Sequence, residues 1–214
     1  MIKTILFDFD GVIIDSMSVR DEGFRILAKE ATEDDRVINE FIKYHRYNAG
    51  LSRFVKIRYL YEELLNKSIS ELEINRLANE FSELMKSKLV DKSILIQETV
   101  EFIKSIYKNF NLHIVSGSEE KELNYLCLNL GLSNYFKTIE GSPTHKNDLV
   151  KNILKKHNYN PKECILIGDS INDYEAAKVN NIDFYGFNNI KLVDYSKTYI
   201  DNFENVLFLL NFRT

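Results

Sequence analysis

Two hydrophobic textures divide the chain. Between Ser16 and about Lys88 the apolar residues recur every three or four positions: Phe24, Leu27, Ala28 and Ala31 form one stripe, and Val37, Ile38, Phe41 and Ile42 a second. Phe54, Ile57, Leu60, Tyr61 and Leu64 make a third, and Ile74, Leu77, Phe81, Leu84 and Met85 a fourth. Residues spaced in this way share one side of an α-helix, so the pattern predicts a small bundle of amphipathic helices. The stretch holds no proline, and Gly50 falls between the second and third stripes, where a loop between helices is required.

Outside that block, short apolar runs end in small or acidic residues. Residues 4–9, 112–115, 136–140, 164–167 and 184–187 read as strands. Helical stripes lie between them, with Leu123, Leu126, Cys127 and Leu130 on one and Leu149, Val150, Ile153 and Leu154 on the next. Strands that alternate with helices make a parallel sheet, because each helix supplies the crossover that parallel neighbours need. The expected fold is α/β: a Rossmann-like parallel-sheet core of residues 1–15 and 89–214, with residues 16–88 inserted as a helical domain after the first strand.

Composition narrows the function. With 44% hydrophobic and 28% charged residues, the 214-residue chain has the balance of a soluble globular protein, which excludes disorder and collagen. The 28 basic residues against 32 acidic ones leave a net charge of −4, so no global field draws in nucleic acid or anionic lipid. Asp8 interrupts the first apolar run, and no later run approaches the roughly 20 residues that a bilayer needs. The expectation is a cytoplasmic protein, monomeric or weakly dimeric, bound to neither membrane nor nucleic acid. Cys127 and Cys164 lie in apolar surroundings without CxxC spacing and read as core filler. His45, His113, His145 and His157 are too scattered for a zinc site, and only His145 has a chemically interesting neighbour.

Ligands of open parallel sheets sit beyond the carboxyl ends of the strands. Those ends carry Asp8-Phe9-Asp10-Gly11, Ser116-Gly117-Ser118 and Gly168-Asp169-Ser170-Ile171-Asn172-Asp173, and Lys146 follows the strand that ends near Glu140. Carboxylates gathered at one edge repel one another unless a hard cation sits among them. Oxygen-only ligation suits Mg²⁺, which keeps open positions for water or a substrate phosphate. The Ser116 hydroxyl, the Gly117-Ser118 turn and the Lys146 ammonium are what the remaining phosphate oxygens require. Each group also has a plainer reading: Asp8 and Asp10 as turn formers, Asp169 and Ser170 as helix caps, Lys146 as a solvated lysine. Arg46, Arg53, Lys56 and Arg58 form the densest basic cluster of the helical block. That cluster is either a solvated helix face or, through Arg53 and Lys56, a reader of an anionic or hydroxylated part of a substrate.

Taken in order, Asp8-Phe9-Asp10-Gly11-Val12, Ser116, Lys146 and Gly168-Asp169-Ser170-x-x-Asp173 resemble the four motifs of the haloacid dehalogenase-like superfamily. The likeness is to its helical-cap subgroup, which includes phosphoglycolate phosphatases and β-phosphoglucomutases, and it spans essentially the whole chain. It implies that residues 16–88 are a cap that closes on hinges near residues 15–17 and 90–93. It also implies that Asp8 is a nucleophile forming an aspartyl phosphate and Asp10 an acid/base. The Asp8 carboxylate, the Asp10 backbone carbonyl and Asp169 would hold Mg²⁺, with Asp173 a further ligand through water or an orienting group. Ser116, Gly117 and Lys146 would clamp the phosphoryl group, and Gly11 would let the chain turn out of the strand. Gly50-Leu51-Ser52-Arg53 is similar to the cap loop of β-phosphoglucomutases. The implied activity is a Mg²⁺-dependent phosphatase for a small phosphorylated metabolite. The alternatives are a phosphosugar mutase and a binding module that has kept the fold and lost turnover.

Overall fold

The computed structural model describes residues 1–211. Six strands, β1 (Thr4–Phe7), β2 (Asn111–Glu119), β3 (Thr138–Ser142), β4 (Cys164–Gly168), β5 (Asp183–Phe187) and β6 (Thr198–Ile200), form one sheet of order β3-β2-β1-β4-β5-β6. All neighbours are parallel, and Phe7 lies level with Ile114 on one side and Ile167 on the other. The chain leaves β1 toward β2 and β3, then returns across it to build β4, β5 and β6. This makes the carboxyl end of β1 a topological switch point, where connections diverge and leave a crevice.

Alternation along the strands sorts the core into two layers, because successive side chains leave a strand on opposite faces. Ile5, Phe7, Ile165 and Ile167 share a cluster with residues of α5 (Gln97–Ile106), α6 (Glu120–Asn129) and α9 (Phe203–Asn211). Leu6, Cys164 and Leu166 pack instead with α7 (Lys146–Lys156) and α8 (Ile171–Val179). Both cysteines are buried and free. The first strand ends two residues before the hydrophobic run does, because Phe9 turns its carbonyl to the N–H groups of Ile13 and Ile14. Strand β6 spans only three residues, too few to carry a period of two in the sequence.

The helical stripes become α1 (Met17–Ala31), α2 (Asp35–Tyr47), α3 (Arg53–Tyr59, which runs on into the π-helical turn Leu60–Leu64) and α4 (Glu71–Lys88). Asp34, Ser52 and Ser70 cap α2, α3 and α4 by accepting the N–H groups of Arg36, Val55 and Glu73. Their apolar faces converge on Phe24, whose ring lies 5.6 Å from Phe41 and 4.4 Å from Phe81. The two connectors to the sheet run side by side: Ile14 bridges Leu95 antiparallel, Asp15 N–H donates to Ile94 and Ile96 N–H to Ile13. Among the described residues no helix is long and apolar enough to cross a membrane.

Leu166 is fully buried between β1 and the α7–α8 layer. Leu166→Ala is expected to lower unfolding stability by about 2–5 kcal/mol, read from urea denaturation, through lost burial and a cavity. A loss well under 1 kcal/mol would mean that this layer is not close-packed.

Candidate active site

The carboxyl end of β1 is extended by one hydrogen bond, from Asp8 N–H to the Ile167 carbonyl at 2.9 Å, which keeps Asp8 against the end of β4. The chain then turns at Gly11, where φ is +78° and any Cβ would collide with the Asp169 carboxylate, so glycine is required on both counts. On the other flank, pairing between β2 and β3 shifts register between Val115 and Glu119. That irregularity frees Ser116, Gly117 and Ser118 to face the crevice. Ser116 is buried and its hydroxyl accepts the Ser118 N–H at 3.1 Å, while Ser118 Oγ donates to Asp10 Oδ2 at 2.6 Å. A Cβ on Gly117 would strike the Gly50 carbonyl, which shows how closely the α2–α3 loop rests on this turn. Lys146 is the first residue of α7, and exposed His145 caps that helix by accepting the Asn147 N–H.

These elements bring Asp8, Asp169 and Asp173 together, with one oxygen from each within 4.8 Å of the others. Lys146 Nζ lies 2.8 Å from Asp8 Oδ1 and 2.5 Å from Asp173 Oδ1. The other oxygen of Asp173 accepts the N–H of Ser170 at 3.0 Å and its hydroxyl at 2.6 Å, which ties the site to the start of α8. Asp169 Oδ1 is buried with no hydrogen-bond partner among the described residues. Burial, followed by repulsion from Asp173, pushes Asp8 up to about 7 against the pull of Lys146. Burial and the neighbouring Asp8 hold Asp169 well above the usual carboxylate range. Burial works against the charge on Lys146, but Asp173 and Asp8 outweigh it and hold its pKa above the ordinary value. A buried oxygen-only cluster with one ammonium for three carboxyl groups is a donor set that can hold a divalent cation.

Asp10 turns away from this cluster. It accepts from Arg20 Nε at 2.5 Å, from Ser118 and from Ser16. Burial opposes its charge, yet Arg20 and the two hydroxyls prevail and hold Asp10 below the usual range. The basic cluster of the helical block divides. Arg46 pairs with Asp21 and Arg58 with Glu62 and Glu71 on the outside, whereas Arg53 and Lys56 are each only 3% exposed. A solvated face therefore describes Arg46 and Arg58 but not Arg53 or Lys56. Arg53 Nη1 sits 2.6 Å from Glu122 Oε2 and donates to Ser82 Oγ, with its guanidinium 4.7 Å over Phe81. Lys56 Nζ reaches His45 Nδ1 at 3.1 Å and the Ala49 carbonyl at 3.0 Å.

Ser16, Arg20 and Glu122 contact the site or its charged neighbours without having been singled out for a role from the sequence, and Ser118, expected only as part of a phosphate-binding turn, bonds Asp10 through its hydroxyl. Arg20 stands four residues before Phe24 and seven before Leu27, and Glu122 four before Leu126. A charge set on an apolar stripe is the signal that would have found both. Beside Asp169 a cavity of about 460 Å³ opens to Gly11, Arg46, Tyr47, Asn188 and Lys191.

A cation bound to the folded state alone adds stability by mass action, about 2.7 kcal/mol at a hundred times its dissociation constant. For a chain of this size the melting temperature should rise by about 5–10 °C when MgCl₂ replaces EDTA, and Asp169→Asn should erase the rise. An unmoved wild-type melting curve would show that the carboxylate cluster holds no such ion.

A phosphorylated carbohydrates phosphatase from Thermotoga maritima is 26% identical to this chain over 194 residues, covering 86% of it and 84% of the relative. A phosphoglycolate phosphatase from Colwellia psychrerythraea is 24% identical over 201 residues, covering 87% and 86%. Among solved structures, a β-phosphoglucomutase from Clostridium difficile has the same fold, with a TM-score of 0.81 at 23% identity over 97% of this chain and 96% of that one. The family model of the haloacid dehalogenase-like hydrolases matches residues 2–181. With that match over most of its length, and the parallel sheet and switch-point carboxylates in place, the chain belongs to the haloacid dehalogenase-like hydrolases.

Proposed function

We propose that the protein is a Mg²⁺-dependent phosphoric monoester hydrolase for a small phosphorylated metabolite of the sugar phosphate or phosphoglycolate type, acting through an aspartyl phosphate. The observation that carries this reading is the placement of Asp8: level with the end of β4, 2.8 Å from Lys146 and grouped with Asp169 and Asp173, with Asp10 two residues on bonded toward the helical block. The names of the relatives in Thermotoga maritima and Colwellia psychrerythraea support the substrate class.

The Asp8 carboxylate, Asp169 and the Asp10 backbone carbonyl would hold Mg²⁺, and the unpartnered buried oxygen of Asp169 fits that use. When bound, the ion supplies positive charge that lets a phosphate dianion approach a carboxylate. Asp173 has one oxygen on Lys146 and the other on Ser170, which suits it to orienting Lys146 and the start of α8 better than to direct ligation. In the first step Asp8 attacks phosphorus, the ester P–O bond breaks, and Asp10 gives its proton to the departing oxygen. In the second, Asp10 takes a proton from water as the water attacks the aspartyl phosphate. Arg20, Ser16 and Ser118 favour the carboxylate form that this second step uses and oppose the protonated form that the first step spends. Ser116, the Gly117 backbone and Lys146 clamp the phosphoryl oxygens, where charge spreads in the transition state.

Residues 16–88 act as a cap, and motion at the paired connectors, near residues 15–17 and 90–93, admits substrate and then excludes bulk water. Arg53 and Lys56 face the inside of that cap and meet whatever group the phosphate carries. A phosphosugar mutase is the second reading. It is favoured by the tight seat of the Gly50 loop on Gly117, since transfer to a second hydroxyl needs water kept out.

Phosphate release from a panel of phosphorylated carbohydrates and phosphoglycolate tests the reading. Isomerisation of a sugar phosphate without free phosphate would replace the phosphatase with the mutase, and no turnover on any ester would revive the binding module. Asp8→Asn is expected to bring turnover to background while circular dichroism stays that of the wild type. Residual activity near wild type would remove Asp8 as nucleophile. Asp10→Ala should lower kcat by about 10²–10⁴-fold, the usual share of a general acid–base.

A further inference from the structure

On the helical-block side of Asp10 lies a second, much smaller cavity of about 20 Å³, lined by Asp10, Arg20, His45, Arg53, Lys56 and Gly117 among others. That is room for about one water-sized group. The guanidinium charges of its walls are cancelled in series by Asp10 and by Glu122, which stands behind them. Asp10 Oδ1 is 2.5 Å from Arg20 Nε, Arg20 Nη1 is 3.0 Å from Glu122 Oε1, and Glu122 Oε2 is 2.6 Å from Arg53 Nη1. Glu122 is fully buried on α6 of the sheet domain, whereas its two partners stand on α1 and α3 of the helical block. What the cavity still offers is hydrogen-bond donation. Arg20 Nη2 is buried without a partner among the described residues, and Lys56 carries an ammonium that meets His45 and the Ala49 carbonyl and lies 5.4 Å over the Phe24 ring. Burial, with Arg20 next, pushes Lys56 down to about 7, so it adds only part of a charge.

We propose that Glu122 sets substrate specificity: by neutralising Arg20 and Arg53 it leaves a pocket that accepts a short hydroxylated group and rejects one ending in a carboxylate or a second phosphate. This presupposes the phosphatase reading and selects within it, favouring a small neutral polyol or carbohydrate monophosphate over phosphoglycolate. The physical reason is that the guanidinium groups an incoming anion would meet have their charge already balanced by Asp10 and Glu122, so it finds a donor in Arg20 Nη2 but no net positive charge. It would lie beside the Asp10 carboxylate, with Glu122 behind Arg20 and Arg53, in a site from which water is excluded, or draw a guanidinium off Glu122 and strand that carboxylate's charge. A hydroxyl accepts from Arg20 Nη2 or Lys56 and strands nothing.

The test compares kcat/KM for glycerol phosphate, phosphoglycolate and p-nitrophenyl phosphate with Mg²⁺ present, in the wild type, in Glu122→Gln and in the charge-keeping Glu122→Asp. In the wild type glycerol phosphate should exceed phosphoglycolate by about tenfold or more, since like charges brought together at a binding site are strongly disfavoured. Glu122→Gln should reduce that ratio by about tenfold, and Glu122→Asp should hold it within about threefold of wild type. A wild-type preference for phosphoglycolate, or a ratio unmoved in a folded Glu122→Gln, would overturn the proposal. If Glu122→Gln does not fold, the wild-type ratio decides alone. Hydrolysis of p-nitrophenyl phosphate with the wrong ratio defeats only the role of Glu122, whereas no hydrolysis of any of the three esters defeats the phosphatase reading and this inference with it.

Discussion

Crowded negative charge at the carboxyl end of β1 is the constraint around which the rest is built. Asp8, Asp169 and Asp173 are buried together, and like charges at this distance and depth cannot all ionise without compensation. One answer is covalently present, since Lys146 at the start of α7 meets two of the three. The hydrogen bonds from Ser170 to Asp173 are another, because they place the positive end of α8 behind that carboxylate. The Asp8 and Asp169 carboxyl groups nevertheless stay well above the usual range. A cluster that remains frustrated in the folded protein is one that gains by binding a cation, and folding energy from the two-layered core is what keeps the frustrated groups in place.

A second electrostatic system faces the first across Asp10. Arg20, Glu122, Arg53 and Lys56 belong to three different helices, and each is buried. A buried charge without a partner is strongly destabilising, so the contacts of Arg20 and Arg53 with Glu122 tie the helical block to the sheet. Besides the paired connectors at residues 13–15 and 94–96, the block meets the sheet domain through the Gly50 loop, through these side chains and through the packing of α4 against α6. Asp10 belongs to both systems, with its backbone beside the carboxylate cluster and its side chain in the arginine network, which is how substrate chemistry and cap position come to share one residue in the proposed mechanism.

The alternation of the first five strands with helices, and the residues at the strand ends, were legible in the chain. They depend on local periodicity and on what a parallel sheet must do with its crossovers, and both are properties of neighbours in sequence. Asp8, Asp10, Ser116, Lys146 and Asp169 could be picked out for the same reason, since each stands where an apolar run gives way to polar residues or just beyond. The strand at 198–200 was missed because three residues cannot display a pattern.

Tertiary structure alone decided the partners of the charges. Arg20 and Glu122 are 102 positions apart, and nothing along the chain tells a guanidinium on an apolar stripe which carboxylate will neutralise it. Arg46, Arg53, Lys56 and Arg58 look alike as a basic run, yet two point outward and two inward, because α3 presents Arg53, Lys56 and Ile57 on one face and Arg58 on another. Amino-acid order determined which elements form and what chemistry their ends carry, since those follow from backbone geometry and spacing. Which charges cancel, and therefore which kind of ligand the enclosed space can take, was decided only when helices distant in sequence packed against the same crevice and water was removed from between them.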